Sequence, residues 1–493
     1  MTGDRYDPEA GVIGTLAEFA AACGGRLVGA DRAFHEVGID SRRLSAGELF
    51  AALAGQRLDG HQFLADAAAR GAAGAIVRRE QPVSLAQIVV DNVEAALARA
   101  ASAARALFSG PLIGVAGSNG KTTVKEMIAA VLAQGGPCLA TRGNLNNHLG
   151  VPLTLLRLTP EHRSAVIEMG ANRAGDVAQL VRIARPDIGL ITNAGAEHLE
   201  GFGSLEGAAR AEGEMVAELP GAATAVLNAD DAFVGLWRAS TAARVVSFGL
   251  AAPAEFTARQ LRLQLDAQGF ASSFDLYAPA GRVTVRLALA GRHNVLNALA
   301  AAAAAVSAGA SLEQVGAGLA SVRAVRGRLQ LRRRTDGGWL IDDSYNANPS
   351  SVRVGLEVLA QIPRRRWLVL GDMAELGEFA AASHREIGEA ARTLGVERLY
   401  SYGALAALAA DGFGAGAERF EDATALQRAL SQALEPSVTL LVKGSRVNRL
   451  ERLVESLAPE AAEGGAGGAG SAGSAGSAGS ASAAAASAVA GMG

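Results

Sequence analysis

Residues 114–123 read Gly114-Val115-Ala116-Gly117-Ser118-Asn119-Gly120-Lys121-Thr122-Thr123. The apolar run Pro111-Leu112-Ile113 enters this stretch as a strand. Val124, Met127, Ile128, Val131 and Leu132 leave it at helical spacing, and Gly135-Gly136 would end that helix. A glycine-rich turn between strand and helix, with lysine and threonine at the helix start, reads as a phosphate-binding loop. Glycines let several backbone N–H groups face one anion, the helix N-terminus adds partial positive charge, and Lys121 adds a full one. Gly117, Ser118, Asn119, Gly120, Lys121, Thr122 and Thr123 are therefore nucleotide-binding candidates. The general pattern would place a glycine at 115, where Val115 stands. The competing reading is an ordinary glycine-rich strand-to-helix turn.

The chain is long enough, at 493 residues, for several domains, and 49% of it is apolar. Aromatic residues make up only 4%, so the cores must be built from Ala, Leu and Val. A net charge of −3 leaves no electrostatic footprint for nucleic acid, which argues against a nucleic-acid-binding ATPase. The basic runs Arg332-Arg333-Arg334 and Arg364-Arg365-Arg366 flank apolar strands and read as solvated edges. Two cysteines, Cys23 and Cys138, form no disulfide framework and suit a cytoplasmic setting. The polar N-terminus is unlike a secretory signal, and the Ala-rich stretch Ala298 to Ala305 reads as a packed helix, so no membrane insertion is expected.

The alternation of strands and helices implies an α/β protein with three domains and a tail. Residues 1–108 form a small mixed α/β domain with strands around Glu48 to Leu53, Ala75 to Val77 and Ile88 to Val90. Residues 109–322 hold the phosphate loop and strands at Ala165-Val166-Ile167 and Ile188 to Ile191, as in a central ATPase-like, mostly parallel sheet. Residues 323–459 repeat the pattern in a Rossmann-like way, with strands at Trp339-Leu340-Ile341, Trp367 to Leu370 and Leu440 to Val442. Pro349 falls near the start of a helix carrying Val352, Leu356 and Leu359, where its missing N–H is harmless. Residues 460–493 are almost wholly Gly, Ala and Ser, a composition expected to stay disordered.

In open α/β sheets, ligands bind beyond the carboxyl ends of the strands. That rule selects Glu168, Asn193, His198, Asp342, Asp343, Asp372 and Lys443 as polar groups following apolar strands. Each alone could be a helix cap or a structural hydrogen bond. Thr122 and Glu168 are the natural oxygen pair for Mg²⁺ on bound phosphates. Asn294 and Asn297, one turn apart, could cap their helix or meet a purine edge.

Taken together, these motifs resemble the Mur ligase family from about residue 11 to 456. The resemblance rests on several stretches. They are Asp40-Ser41-Arg42, Asp59-Gly60-His61-Gln62-Phe63, Gly117 to Thr123, Thr141 to Asn147, Gly327-Arg328-Leu329, Asp342 to Pro349, Gly371 to Gly377, and Lys443-Gly444-Ser445-Arg446. It implies ATP-dependent amide-bond formation through an acyl phosphate, in peptidoglycan precursor synthesis. The segment Asp342 to Pro349 implies UDP-N-acetylmuramoyl-tripeptide as the carboxylate and D-alanyl-D-alanine as the amine. The same chemistry on another acceptor, as in folylpolyglutamate synthase, is the near alternative.

By that resemblance the N-terminal domain binds the UDP-substrate and the central domain binds ATP. Lys121, Glu168, His198 and Lys443 are the catalytic candidates. Asn294, Asn297, Arg328 and Asp343 join the phosphate loop in holding ATP. Ser41, Arg42, Asn144, Asn146 and Asn147 face the UDP-substrate, and Tyr345 and Asn346 lie on the dipeptide side. Thr122 and Glu168 hold one Mg²⁺, and His198 helps hold a second. The resemblance also implies a monomer that closes its domains over the nucleotide.

One position departs from the family pattern. Members usually carry a lysine, converted to a carbamate that meets the second metal, where this chain has Glu212. Glu212 could replace the carbamate without CO₂, or it could be a surface acid. The substitution is the only support for a ligase-derived nucleotide-binding protein without turnover. Arg210 nearby cannot be carbamylated in the same way, because its guanidinium stays protonated.

Overall fold

The structure is a computed structural model and describes residues 13–55, 58–266 and 269–459. The Gly/Ala/Ser tail, expected to be disordered, lies outside the described residues. Among the described residues no helix is long and apolar enough to cross a membrane.

Three α/β segments follow one another. The first holds a five-stranded sheet in the order Arg26–Val28, Gln87–Val89, Gly74–Val77, Leu49–Ala51, Val37–Gly38. Only its Arg26–Val28 edge is antiparallel. The second holds a six-stranded sheet in the order Arg244–Phe248, Thr224–Asn228, Ile188–Ile191, Leu112–Ala116, Ser164–Glu168, Cys138–Ala140, and every pairing is parallel. The third holds a six-stranded sheet in the order Gln330–Arg333, Trp339–Asp343, Val438–Lys443, Arg365–Gly371, Arg398–Tyr402, Ala417–Phe420. It is parallel except at the Gln330–Arg333 edge.

The expected mostly parallel central sheet is therefore present, but its first strand is longer than Pro111-Leu112-Ile113. It runs from Leu112 to Ala116, so Gly114 and Val115 belong to the strand. Val115 pairs with Glu168 on one side and Leu190 on the other and is fully buried. This accounts for the missing glycine, since the loop does not turn until Gly117. There φ is +120°, and an added Cβ would lie 2.2 Å from Thr192 Oγ1. Only glycine fits both demands. Gly120, at φ +85°, then starts the helix Lys121–Leu132, whose apolar face is buried as the spacing predicts.

The sequence reading missed a three-stranded antiparallel sheet, Thr257–Asp266, Gly269–Ala278 and Gly281–Leu287. It packs Phe274, Leu276, Val285 and Leu287 into the core shared by the helix Arg292–Ser307. In that helix each residue from Ala298 to Ala305 is at most 1% exposed, so small side chains allow close approach where aromatic ones are scarce.

The Arg332-Arg333-Arg334 run corrects the solvated-edge expectation. Arg332 and Arg334 are buried. Arg332 meets Glu455 at 3.1 Å, and Arg334 meets Asp336 at 2.7 Å and donates to the Val438 carbonyl. Strand alternation turns Arg333 outward, over the Trp339 ring.

Candidate active site

The central sheet changes winding direction at Leu112–Ala116, whose neighbours Ser164–Glu168 and Ile188–Ile191 lie on either side. Such a switch point leaves a crevice at the strand ends, and the phosphate loop fills it. Asn193 fixes the loop from the next strand end: its Oδ1 accepts from the Asn119 N–H at 3.0 Å, and its Nδ2 donates to the Asn119 carbonyl at 2.9 Å.

Lys121 folds back over the loop. Its Nζ donates to the carbonyls of Gly117 and Ser118 and meets Glu197 Oε1 at 3.2 Å. Burial works against its charge, but Glu197, Glu212 and Glu168 outweigh that and raise its pKa. It is a fixed cation at the start of the helix Lys121–Leu132.

Glu168, the last residue of its strand, accepts from Asn146 Nδ2 at 2.8 Å through Oε1. Its Oε2 is buried without a hydrogen-bond partner. An orphaned carboxylate oxygen beside the buried Thr122 suits a hard cation with oxygen ligands. Lys125, invisible to the apolar pattern, supports this corner: it is 1% exposed and donates to the Thr141 carbonyl at 2.8 Å. Thr141 Oγ1 in turn accepts from the Glu168 N–H at 3.0 Å.

Glu212 is not a surface acid. It is fully buried on the helix Leu205–Ala217 and reaches the loop from behind. Its Oε2 accepts from the Gly117 N–H at 2.7 Å, while Oε1 has no partner. Burial pushes its carboxyl up to about 7 against the pull of Lys121. His198, at φ +47°, turns its Nδ1 onto Glu375, itself at φ +63°. Among the described residues no three His, Cys, Asp or Glu side chains gather as a metal site. His198 is thus paired with Glu375, while Glu212 holds the Gly117 N–H through Oε2 and leaves Oε1 without a hydrogen-bond partner.

The third segment faces the loop. Trp339–Asp343 and Val438–Lys443 are neighbours in register, with Asp343 opposite Lys443. Lys443 Nζ consequently meets Asp343 Oδ2 at 2.6 Å and donates to the Asn346 carbonyl at 2.9 Å. Asn348 caps the helix Pro349–Ala360, with Pro349 in its first turn as expected. The same cap touches the loop: Asn119 Nδ2 donates to Ser350 Oγ, and Asn348 Nδ2 donates to Asn119 Oδ1, both at 3.0 Å. Asn119→Ala removes both ties. At about 1 kcal/mol in net hydrogen bonding, partly replaced by water, the expected loss in thermal midpoint is about 2 °C, read in a melting scan.

The result is one cavity of about 690 Å³ with the loop on one wall and the third segment on the other. It brings together Ser118 to Thr123, Asn144, Asn146, Glu168, His198, Asn294, Asn297, Arg328, Asp343, Tyr345, Asn346 and Lys443. Gly117, Asn147, Glu212, Ser41 and Arg42 are not in its lining. Asn147 Oδ1 accepts from the N–H groups of Leu149 and Gly150 instead. Ser41 is buried, and Arg42 pairs with Asp40. Asp372 proves to be a structural acceptor, bonded to the Ala406 N–H at 2.7 Å. Asn294 donates to the Ala290 carbonyl and Asn297 to Asn294, so neither caps the N-terminal amides of their helix.

The sequence reading missed Glu197, Glu375 and Asn348 among the lining residues. Each is adjacent to, or inside, a stretch it had singled out, but only the fold shows which side chain turns inward. His293 also lines the cavity, and burial with the nearby Lys443 ammonium holds its imidazole down at about 4, hence neutral.

Comparison with known proteins agrees with this geometry. Residues 33–107 match the Mur ligase family catalytic domain, 115–305 the Mur ligase middle domain, and 327–446 the Mur ligase glutamate ligase domain. The Escherichia coli (strain K12) UDP-N-acetylmuramoyl-tripeptide–D-alanyl-D-alanine ligase is 43% identical, over 90% of this chain and 98% of its own length.

The chain belongs to the Mur ligase family.

As a Mur ligase it is an ATP-dependent ligase. Among solved structures, MurF from Acinetobacter baumannii superposes with a TM-score of 0.83 at 33% identity, covering 90% of this chain and 98% of that one. MurF from Thermotoga maritima in complex with ADP gives 0.75 at 27% identity, covering 86% and 96%. The resemblance read from the motifs is borne out for this ligase in family and fold class.

Proposed function

We propose that this ligase joins D-alanyl-D-alanine to UDP-N-acetylmuramoyl-tripeptide, releasing ADP and phosphate, in peptidoglycan precursor synthesis. The observation that carries the reading is a single cavity with a phosphate loop on one wall and the Lys443–Asp343 pair, Tyr345 and Asn346 on the other. The name of the Escherichia coli relative supports the choice of substrates.

A carboxylate is a poor electrophile. In the proposed reaction a carboxylate oxygen of the tripeptide bonds to the γ-phosphorus as the bond to ADP breaks, giving an acyl phosphate. The dipeptide amine then attacks the acyl carbon, loses a proton, and phosphate leaves. With Ser118 and Asn119 tied by their N–H groups to Asn193, the N–H groups at Gly120 and the first turn of the helix Lys121–Leu132 would orient the phosphates. Lys121 would leave the Gly117 carbonyl and neutralise the charge that grows on transfer. Thr122 and Glu168 would hold one Mg²⁺, which supplies further charge neutralisation when bound. His198 would help hold a second ion, and Glu212, whose Oε1 has no hydrogen-bond partner, is the acid that would join it. Lys443, held by Asp343, would stand over the acyl group.

We assign residues 1–108 to the UDP end, with Ser41 and Arg42 outside the cavity. They lie on the segment whose Glu36 meets Arg142 at 2.9 Å. Residues 109–322 take ATP, and 323–459 take the amine. We read the ligase as a monomer of the cytoplasm, where ATP and a UDP-linked precursor are at hand.

The test is a phosphate-release assay with single omissions. Release is expected only when ATP, Mg²⁺, UDP-N-acetylmuramoyl-tripeptide and D-alanyl-D-alanine are all present. Silence from the complete mixture would overturn the proposal, and release with glutamate in place of the dipeptide would redirect it to another acceptor.

A further inference from the structure

Two guanidiniums attend one ring in the cavity wall. Arg328 lies 4.3 Å from the centre of Tyr345 and Arg446 lies 5.4 Å from it. Arg446 Nη1 also reaches the Tyr345 hydroxyl at 3.4 Å. Neither guanidinium has a carboxylate partner among the described residues, although acids line the same cavity. Glu197 is engaged by Lys121, Asp343 by Lys443, and Glu375 by His198. The cavity thus presents two open forks, each suited to an anion with paired oxygens.

Their surroundings separate the two. Arg328 shares a small recess with Thr123, Glu126 and Asn294, residues of the nucleotide wall. Arg446 opens the short turn Arg446–Asn448 just beyond Lys443. That turn is fixed at its base: Asn448 Nδ2 donates to the carbonyls of Asp372 and Ser445, each at 2.9 Å. Ser445 Oγ donates to the Ala347 carbonyl and accepts from the Ala374 N–H. A long side chain on a rigid turn, partly oriented by an aromatic ring, is preorganised for a ligand.

A dipeptide that presents its amine to an acyl phosphate carries a second charged group, its own free carboxylate. We infer that Arg446 reads that carboxylate and so selects the incoming amine substrate. The inference rests on the dipeptide reading above and adds a specificity residue to it.

The experiment compares D-alanyl-D-alanine with its C-terminal amide in the wild-type ligase, Arg446→Ala and Arg446→Lys. The wild type is expected to prefer the free acid by roughly 10- to 100-fold in kcat/KM, the range for a charge-assisted bond. Arg446→Ala should bring that ratio close to one through a raised KM for the acid, with KM for ATP unchanged. Arg446→Lys should recover part of the preference. An Arg446→Ala enzyme that keeps the wild-type ratio, or a wild type with no preference, would overturn the inference while leaving the ligase reading intact. Absence of phosphate release with either dipeptide in the wild type would instead overturn the ligase reading, and the inference with it.

Discussion

Replacing Lys121 with alanine is expected to reduce turnover by about 10²- to 10³-fold, the loss seen when one preorganised donor to a developing anion is removed. Lys121 is nearly buried, its charge is supported by three carboxylates, and its Nζ rests on two loop carbonyls. An alanine leaves Gly120 and the helix N-terminus in place, so nucleotide should still bind while the transferring phosphoryl group loses its cation. Equilibrium ATP binding measured beside steady-state phosphate release separates these effects. Turnover within a few-fold of wild type would remove Lys121 from the chemistry.

The second large effect is expected at Glu212. Its bond to Gly117 is buried and, once the carboxyl ionises above about pH 7, charge-assisted, a class worth about 1.5–3 kcal/mol. Glu212→Ala strands the Gly117 N–H at the first turn of the loop, so turnover should fall by roughly ten-fold or more. Glu212→Gln keeps an acceptor oxygen at the same reach and should lose less. Because position 212 carries no lysine, activity should be the same in CO₂-depleted and bicarbonate-supplemented buffer. Equal activity of the alanine and wild-type enzymes would show that the loop holds itself without this carboxylate.

Much of the fold was legible because its strands are short, apolar and bounded by glycine or polar residues. Ile188 to Ile191 was placed to the residue, and Pro349 marked its helix. The antiparallel sheet from Thr257 to Leu287 was not legible. Its strands are long, half exposed and rich in arginine and serine, so no buried apolar run announces them. The site was legible where chemistry sits at strand ends, as with Glu168 and Lys443. It was not legible where a side chain's direction decides its role. Glu212 reads as an acid on a helix, and nothing in its neighbours says that it points at a glycine 95 positions earlier. Val115 shows the reverse: an apparent flaw in a motif becomes ordinary once the strand is seen to run through it.

The two bonds from Asn119 have a consequence for how the protein is made. They join residues 229 and 231 positions apart. A growing chain folds from its N-terminal end as it emerges from the ribosome. The strands that cradle the loop, through Phe248, are available well before Asn348 and Ser350 are translated. A nascent chain therefore carries an unfinished phosphate loop through the middle of its synthesis, and the last ties close only once the third segment has emerged.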